Sequence, residues 1–253
     1  MIGAKYFTYF YCIFRQNNLF LAIIFYREDD MGIVIAVANQ KGGSGKTTIT
    51  LNLAGAYCDD APDLRVLVID ADSQSSAVRA TGAGDVPYPF TVVNMAAAGS
   101  NLSREIKRMA QDYDLVLVDC PPSVHDKNTE IAIAASDFVL VPMDASALDA
   151  WSTIGMLQLV RRTIGSDPTG CGIVFNRVNT KTTGYAEVRA AMGEDNPYPI
   201  LESTIALREI YKTSIGIGAT VFSVKGQRTA KQAKEEIMAV AREILGIKGL
   251  LEA

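Results

Sequence analysis

The stretch Asn39-Gln-Lys-Gly-Gly-Ser-Gly-Lys-Thr-Thr48 decides the fold of this chain. It directly follows Gly32-Ile-Val-Ile-Ala-Val-Ala38, an apolar and β-branched run that is typical of a buried strand. It leads into residues 49–57, whose apolar side chains suit a helix packed against a sheet. A strand, a glycine-rich loop and a helix in this order predict a phosphate-binding loop. The alternative, a glycine-rich turn with an incidental lysine, does not account for the flanking strand and helix.

The residues of this loop have distinct expected roles. Its glycines let the backbone N–H groups turn towards phosphate oxygens, and the helix N-terminus adds positive partial charge. Lys46 is expected to reach the terminal phosphates of a nucleotide, and the Thr47 hydroxyl to bind Mg²⁺. The predicted nucleotide-binding residues of the loop are Lys41, Gly42, Gly43, Ser44, Gly45, Lys46, Thr47 and Thr48.

The loop departs from the common phosphate-binding pattern at its start. Gln40 stands where that pattern has its first glycine, and a second lysine, Lys41, follows. The spelling KGGxGKT resembles the deviant Walker A loop of the ParA/MinD family, and the similarity extends from about residue 31 to residue 245. It is closest to the small ParA-type partition ATPases. The resemblance implies that Lys41 reaches the ATP of a partner subunit and is catalytic together with Lys46; the alternative is a solvated loop lysine.

Two further predicted strands end in carboxylates. One ends at Asp70 and the other at Asp119. Parallel strands place such residues at the carboxyl edge of the sheet, where open α/β folds bind ligands. Asp119 resembles the Walker B carboxylate of the family, which holds Mg²⁺ through water. Asp70 is a second outer-shell candidate, because Mg²⁺ keeps several of its waters.

The resemblance also assigns roles to residues beyond the loop. The family motif DxDPQ reads DADSQ at residues 70–74, with Ser73 in place of proline. Its second aspartate, here Asp72, orients the water that attacks ATP. The alternative for Asp72 is a cap on the helix that follows. Asn176 and Arg177 end another predicted strand, and the resemblance implies that they contact adenine.

Predicted strands and helices alternate along the chain. The strands lie at residues 32–38, 65–70, 115–119, 138–143 and 171–175. The helices lie at residues 46–57, 103–111, 128–136, 148–163 and 229–245. This alternation predicts an α/β fold, a single-domain doubly wound and mostly parallel sheet with helices on both faces. The P-loop ATPase domain is expected to span residues 31–253.

Residues 1–30 differ from the rest of the chain in composition. They are rich in aromatic residues, and the polar residues 15–18 interrupt their apolar run. The run is therefore shorter than a membrane-spanning helix needs, and it lacks a clear signal-peptide cleavage site. We expect Met31 to be the biological start and the preceding residues to be a non-native or disordered extension. The alternative is a membrane anchor.

The charge of the chain is unevenly distributed. Its net charge of −4 argues against nucleic acid as a ligand, yet basic residues cluster between positions 203 and 234, where Glu209 is the single acidic residue. The resemblance implies that this region binds DNA without sequence preference in the ATP-bound dimer. The alternative is an ordinary solvated face. The predicted DNA-binding residues are Arg208, Lys212, Lys225, Arg228 and Lys231.

The four cysteines carry no C-x-x-C spacing, which argues against a zinc or iron–sulfur site and indicates a reducing cytoplasm. The resemblance implies a cytoplasmic, nucleoid-associated ATPase that uses ATP and Mg²⁺ and hydrolyses ATP slowly. It implies a homodimer with ATP and a ParB-like centromere-binding or adaptor protein that stimulates hydrolysis. The cargo would be a plasmid, a chromosome or another body.

Two alternatives remain. The first is a MinD-like ATPase that cycles on a membrane, which residues 244–253 disfavour because they contain a single lysine, two glycines and an acidic residue, Glu252, next to the last position. The second is a scaffold that binds nucleotide without hydrolysis, which the presence of Lys46, Asp72 and Asp119 disfavours.

Overall fold

The computed structural model describes most of the chain between Tyr6 and Gly249. The described ranges are residues 6–15, 18–27, 31–84, 87–194 and 196–249. Residues 250–253, the end of the C-terminal segment 244–253, lie outside the described residues. Parts of the segment 1–30 lie outside them as well.

A β-hairpin precedes the phosphate-binding loop. β1 (Tyr6–Arg15) and β2 (Asn18–Arg27) pair antiparallel along their whole length. They form a two-stranded sheet of their own. The sequence pattern predicts no strand in this segment. That the native chain begins at Met31 stays a prediction.

Among the described residues, seven further strands form the central sheet. They are β3 (Ile33–Val37), β4 (Val66–Asp70), β5 (Thr91–Asn94), β6 (Leu115–Asp119), β7 (Phe138–Met143), β8 (Cys171–Val178) and β9 (Ile200–Ala206). Their order across the sheet is β5-β4-β6-β3-β7-β8-β9, and all neighbouring strands run parallel.

Eight α-helices follow or connect these strands in the described part of the chain. They are α1 (Lys46–Asp60), α2 (Ser76–Thr81), α3 (Leu102–Met109), α4 (Lys127–Ala134), α5 (Ala147–Ile164), α6 (Thr183–Gly193), α7 (Glu209–Gly216) and α8 (Arg228–Ile247). The prediction of a doubly wound parallel α/β fold is confirmed.

The side chains of β3 show how helices cover both faces of the sheet. Successive side chains of a strand point to opposite faces. Ile33, Ile35 and Val37 therefore pack in one core with α1 and α8, and Val34 and Ala36 pack in a second core with α3, α4 and α5. All five side chains are buried, as expected for a parallel strand between two layers of helices.

β5 and β9 are the edge strands of the central sheet, and the sequence pattern missed both. β5 has four residues and none of them is buried. β9 mixes buried and exposed positions along its length. An edge strand needs no continuous apolar run, whereas the five inner strands, all of them predicted, are buried almost throughout.

Three helices were also missed, and the bounds of the five predicted helices differ from the observed ones by up to three residues. α2 has six residues and α7 has eight, and α6 buries only Met192, so none carries a long apolar period. α8 begins at Arg228. Arg228 is therefore the first residue of this helix, one position before the predicted start at residue 229. No helix in the described ranges has both the length and the apolarity to cross a membrane.

The register of the inner strands brings the predicted site residues to one edge. Asp119 at the end of β6 lies opposite Val37 of β3 on one side and opposite Asp70 of β4 on the other. The phosphate-binding loop follows Val37. The three strands therefore deliver the loop and both carboxylates to the same carboxyl edge of the central sheet.

Candidate active site

The phosphate-binding loop connects β3 to α1 and depends on its glycines. Gly43 and Gly45 have φ angles of 76° and 92°, in the left-handed region that glycine tolerates best. At Gly45 a Cβ atom would also lie 2.3 Å from Nδ2 of Asn176. That amide donates a hydrogen bond of 2.8 Å to the carbonyl of Ser44. The end of β8 thus holds the loop, and a side chain at Gly45 would break this contact.

Lys46 occupies the interior of the loop. Its side chain is largely buried, and Nζ donates a hydrogen bond of 3.1 Å to the carbonyl of Lys41. Burial lowers the pKa of Lys46, and the nearby carboxylate of Asp119 acts in the opposite direction. That Lys46 binds the terminal phosphates stays a prediction.

Thr47 in the first turn of α1 is hydrogen-bonded to Asp119 at the end of β6. The Thr47 hydroxyl donates a hydrogen bond of 2.6 Å to Oδ2 of Asp119. Asp119 is fully buried, and its Oδ1 atom has no hydrogen-bond partner among the described residues. Burial raises the pKa of Asp119 to about 7, while the Thr47 bond lowers it. A hydroxyl beside an unsatisfied buried carboxylate oxygen fits Mg²⁺ and its bound waters, since Mg²⁺ prefers oxygen ligands.

Asp70 performs a structural task that the sequence analysis missed. It is fully buried, and its Oδ2 atom accepts hydrogen bonds from the backbone N–H groups of Ala77 and Val78 at 2.9 and 3.1 Å. Its Oδ1 atom accepts one from the N–H of Asp72 at 3.2 Å. Burial raises the pKa of Asp70, and these three bonds lower it. Asp70 thus satisfies the N-terminus of α2; its outer-shell metal role stays a prediction.

Asp72 lies at the mouth of the site. Its Oδ1 atom accepts a hydrogen bond of 2.9 Å from the N–H of Gln74, within the turn that follows β4. The capping task that sequence reasoning offered as the alternative for Asp72 is performed by Asp70. Asp72 keeps its carboxylate facing the same cavity as Lys46 and Thr47.

That cavity has a volume of about 570 Å³. Its predicted lining residues are Gly42, Gly43, Gly45, Lys46, Thr47, Thr48, Asp72, Asn176 and Arg177. The structure adds a wall formed by the end of β9 and the residues after it, which the sequence analysis did not assign to the site: Ile205, Leu207 and Tyr211. The signal that could have found this wall is its place at the carboxyl end of a strand, and β9 itself was missed.

Asn176 and Arg177 are brought to the cavity by β8. The Asn176 amide is engaged by the loop through Ser44, as described above. Arg177 has a φ angle of 56°, and its Nε atom donates a hydrogen bond of 3.0 Å to Oδ1 of Asp144. Both residues line the cavity, and their contact with adenine stays a prediction.

Lys41 forms an ion pair within its own chain. Its Nζ atom lies 2.6 Å from Oδ1 of Asp149, a buried residue in the first turn of α5. The Lys41 side chain is thus held by its own chain and remains 39% exposed. The action of Lys41 on the ATP of a partner subunit stays a prediction.

The residues predicted to bind DNA fall in two places. Arg208 and Lys212 line the nucleotide cavity, and Arg208 donates hydrogen bonds to Glu236 and Gln232 of α8. Glu236 lies just beyond the stretch counted above as basic, so Arg208 is not a free cation, and its pKa is raised mainly by this hydrogen bond. The remaining three are exposed at or near the start of α8: Lys225, Arg228 and Lys231.

Comparisons with known proteins give matches over most of the chain. A model of the CobQ/CobB/MinD/ParA nucleotide-binding domain matches residues 35–221. The chain is 28% identical over 214 residues to the maintenance of carboxysome distribution protein A of Halothiobacillus neapolitanus, covering 83% of this chain and 95% of that protein. It is also 28% identical over 245 residues to the chromosome-partitioning ATPase Soj of Thermus thermophilus, covering 83% and 96%.

The fold resembles that of a solved relative. A variant of McdA from Cyanothece, in complex with ATP, superposes with a TM-score of 0.66 at 20% identity, covering 88% of this chain and 99% of that one. The family model spans most of the chain, including the phosphate-binding loop, β4, β6 and β8. The resemblance seen in the sequence is confirmed: the chain belongs to the CobQ/CobB/MinD/ParA family of nucleotide-binding proteins.

Proposed function

We propose that the protein is a ParA-type ATPase. It hydrolyses ATP to ADP and phosphate, pairs with a second copy when ATP is bound, binds DNA without sequence preference and positions a cargo. The observation that carries the proposal is the meeting of Lys46, Thr47 and Asp72 at one cavity, with the buried Asp119 hydrogen-bonded to Thr47 and left with one unsatisfied oxygen. Membership of the family and the resemblance to an ATP-bound McdA support it.

The loop and four side chains at or beside the cavity have distinct tasks in this reaction. The loop N–H groups and Lys46 would bind the phosphates, and Thr47 with Asp119 would hold Mg²⁺ through hydroxyl and water. The bound Mg²⁺ supplies positive charge that neutralises the phosphate oxygens. Asp72 would orient the attacking water, because it is the carboxylate at the cavity mouth whose oxygens are not bound to a helix terminus. Positioning and charge neutralisation perform most of the work in phosphoryl transfer.

The catalytic part of this proposal is tested by phosphate release. The purified chain should release phosphate from ATP in the presence of Mg²⁺. This release should stop when EDTA removes the metal. DNA and a ParB-like or adaptor partner should accelerate a slow basal rate. ATP binding without any Mg²⁺-dependent release would instead favour the nucleotide-binding scaffold.

Lys41 is expected to act after nucleotide has bound. Its ammonium contacts Asp149 and not the interior of the loop, so Lys41→Ala should leave ATP binding within a few-fold of wild type. The same variant should weaken ATP-dependent pairing and hydrolysis, because the cation offered to the partner's nucleotide is lost. Calorimetry with ATP and light scattering on the same samples measure the two effects separately. A loss of ATP binding in Lys41→Ala would contradict the assignment.

DNA binding is expected to depend on Lys225 and Arg228. Both are exposed at the start of α8, and a dimer would present two such patches, so binding should need ATP by multivalency. Affinity should be equal on unrelated duplexes and fall with salt, with a slope of about −0.9 in log K against log salt for each phosphate contact. Fluorescence anisotropy with ATP or ADP measures both properties.

The matched control for this measurement is Lys107, an exposed lysine of α3 beneath the opposite face of the sheet. The double variant Lys225→Ala and Arg228→Ala should bind DNA more weakly and reduce the salt slope, whereas Lys107→Ala should change neither. Equal affinity for DNA with ATP and with ADP would contradict the proposal that DNA binding depends on ATP. Equal loss in the control would show only a general charge effect.

The MinD-like alternative is less well supported by the C-terminal helix. The apolar face of α8 is used inside the protein, where Ile237, Val240 and Ile244 are buried in the core shared with α1. An amphipathic membrane helix needs such a face to be free. Pelleting with anionic liposomes in the presence of ATP should leave the protein in the supernatant. ATP-dependent pelleting would favour the membrane-cycling function.

A further inference from the structure

The two sides of the nucleotide cavity differ in chemistry. The side that follows β4 carries the carboxylate of Asp72, and β4 and β9 lie on opposite sides of β3 in the sheet. The side at the end of β9 is mostly apolar, and its five apolar residues, here called the apolar wall, are Ile205, Leu207, Tyr211, Ile215 and Ile237. A nucleotide has the same division into a charged phosphate chain and a planar base. An apolar lining with a few polar groups suits such a ring.

A single carboxylate of α8 holds the connection between β9 and α7 behind the apolar wall. Oε1 of Glu236 accepts hydrogen bonds from Nε and Nη2 of Arg208, at 2.9 and 2.6 Å. Oε2 accepts one from the hydroxyl of Tyr211 at 2.9 Å and one from the backbone N–H of Ala206 at 3.2 Å. Arg208 and Tyr211 line the cavity, whereas Glu236 does not. Glu236 therefore acts on the cavity only through the residues that it binds.

The surroundings of Glu236 make these hydrogen bonds strong. The side chains of Glu236 and Arg208 are only 18% and 24% exposed, and Tyr211 is buried. Hydrogen bonds to an ionised group are stronger than neutral ones, and partial burial strengthens them further. Burial raises the pKa of Tyr211, and the Glu236 carboxylate raises it further, so the Tyr211 hydroxyl keeps its proton and remains a donor. A wall that is fixed before the ligand arrives loses less conformational entropy on binding.

We propose that Glu236 is a positioning residue for the base of the bound nucleotide. It does not touch the nucleotide, and it holds Arg208 and Tyr211 so that the apolar wall is in place to receive the base. This inference rests on the proposed nucleotide binding, and it makes part of the ATP affinity depend on α8. The phosphate-binding loop acts without Glu236, so the contribution of Glu236 concerns ligands that carry a base.

Inorganic triphosphate, which has no base, separates the two parts of the cavity. Displacement of a fluorescent ATP analogue by ATP or by inorganic triphosphate, each with Mg²⁺, measures both affinities. Glu236→Ala should weaken ATP binding by about 10-fold, the scale of a lost charge-assisted hydrogen bond, and leave triphosphate binding unchanged. The hydroxyl of Tyr211 keeps a second acceptor, the carbonyl of Ala233 at 3.1 Å, which favours folding of the variant. Glu236→Gln retains one acceptor oxygen, should lie between wild type and Glu236→Ala, and provides the test if Glu236→Ala does not fold.

Two other glutamates of α8 provide matched controls. Glu243 lies two turns after Glu236, and its oxygens accept hydrogen bonds from the N–H groups of Glu202 and Ser203 in β9 at 2.6 and 2.8 Å, away from the cavity. Glu243→Ala therefore removes the same kind of contact between α8 and β9, and it should lower the melting temperature without changing ATP affinity. Glu235 is exposed beside Glu236, and Glu235→Ala controls for the change in net charge.

The outcomes separate this inference from the proposed function. Unchanged ATP affinity in Glu236→Ala, an equal loss of ATP and triphosphate binding in it, or an equal loss of ATP binding in Glu243→Ala would overturn the inference and leave the proposed function standing. A wild-type protein that binds neither ATP nor inorganic triphosphate would overturn the proposed function, and this inference with it.

Discussion

Lys46→Ala is expected to abolish measurable nucleotide binding. Lys46 is the cation whose ammonium lies inside the loop, desolvated and held on the carbonyl of Lys41. Its charge-assisted hydrogen bonds to phosphate are of the strong kind, so their loss should weaken ATP affinity by about 100-fold or more, or about 2.7 kcal/mol. Isothermal calorimetry with Mg²⁺ and ATP measures the affinity directly.

Lys41→Ala is the matched control for this variant, since it removes the other lysine of the same loop. The two lysines differ in direction: one ammonium lies within the loop, and the other lies on Asp149 of α5. Only the Lys46 variant should lose ATP. A Lys46→Ala protein that binds ATP within a few-fold of wild type would show that the backbone of the loop suffices, and an equal loss in both variants would contradict the division of roles.

Asp72→Ala is expected to stop hydrolysis while ATP binding persists. Asp72 lies at the mouth of the cavity. Among the described residues, its carboxylate accepts a hydrogen bond from the N–H of Gln74 only. Its removal should therefore leave the loop and Asp119 in place. Loss of a positioned carboxylate typically lowers a rate by about 100-fold or more. The variant should accumulate as an ATP-bound dimer that stays on DNA. Phosphate release and light scattering measure both consequences.

Asp63→Ala serves as the control for this variant. Asp63 is an exposed carboxylate in the connection between α1 and β4, and its removal changes the net charge of the protein by the same amount. The Asp63→Ala protein should hydrolyse ATP at the wild-type rate. Undiminished turnover in Asp72→Ala would mean that a different group orients the water, and loss of ATP binding would mean that Asp72 is needed for the shape of the site.

The predictable part of the fold is the part that is buried on both sides. The five inner strands have apolar runs because helices cover both of their faces, and the sequence pattern found each of them. The edge strands β5 and β9 each have one neighbouring strand and are only partly buried, and their residues carry no such run. The short helices α2 and α7 complete too few turns to show a period of their own.

The predictable part of the site is what lies in one contiguous motif or at a strand end. The loop, Asp119 and Asp72 meet as expected because parallel strands share a carboxyl edge. The partners that the sequence hid are distant along the chain. Asp149 pairs with Lys41, and Glu236 pairs with Arg208. The two members of each pair are far apart in the sequence, so no motif predicts their contact. The capping role of Asp70 was hidden for another reason, since the same residue also matches the family's catalytic motif.

We propose that ATP, but not ADP, brings two copies of this chain together around their phosphate-binding loops. Sedimentation velocity of the wild-type protein with Mg²⁺ and a slowly hydrolysed ATP analogue, compared with Mg²⁺ and ADP, tests it most directly. The 27.3 kDa chain should sediment as a monomer with ADP and as a species of twice that mass with the ATP analogue. The same mass in both nucleotides would contradict the account.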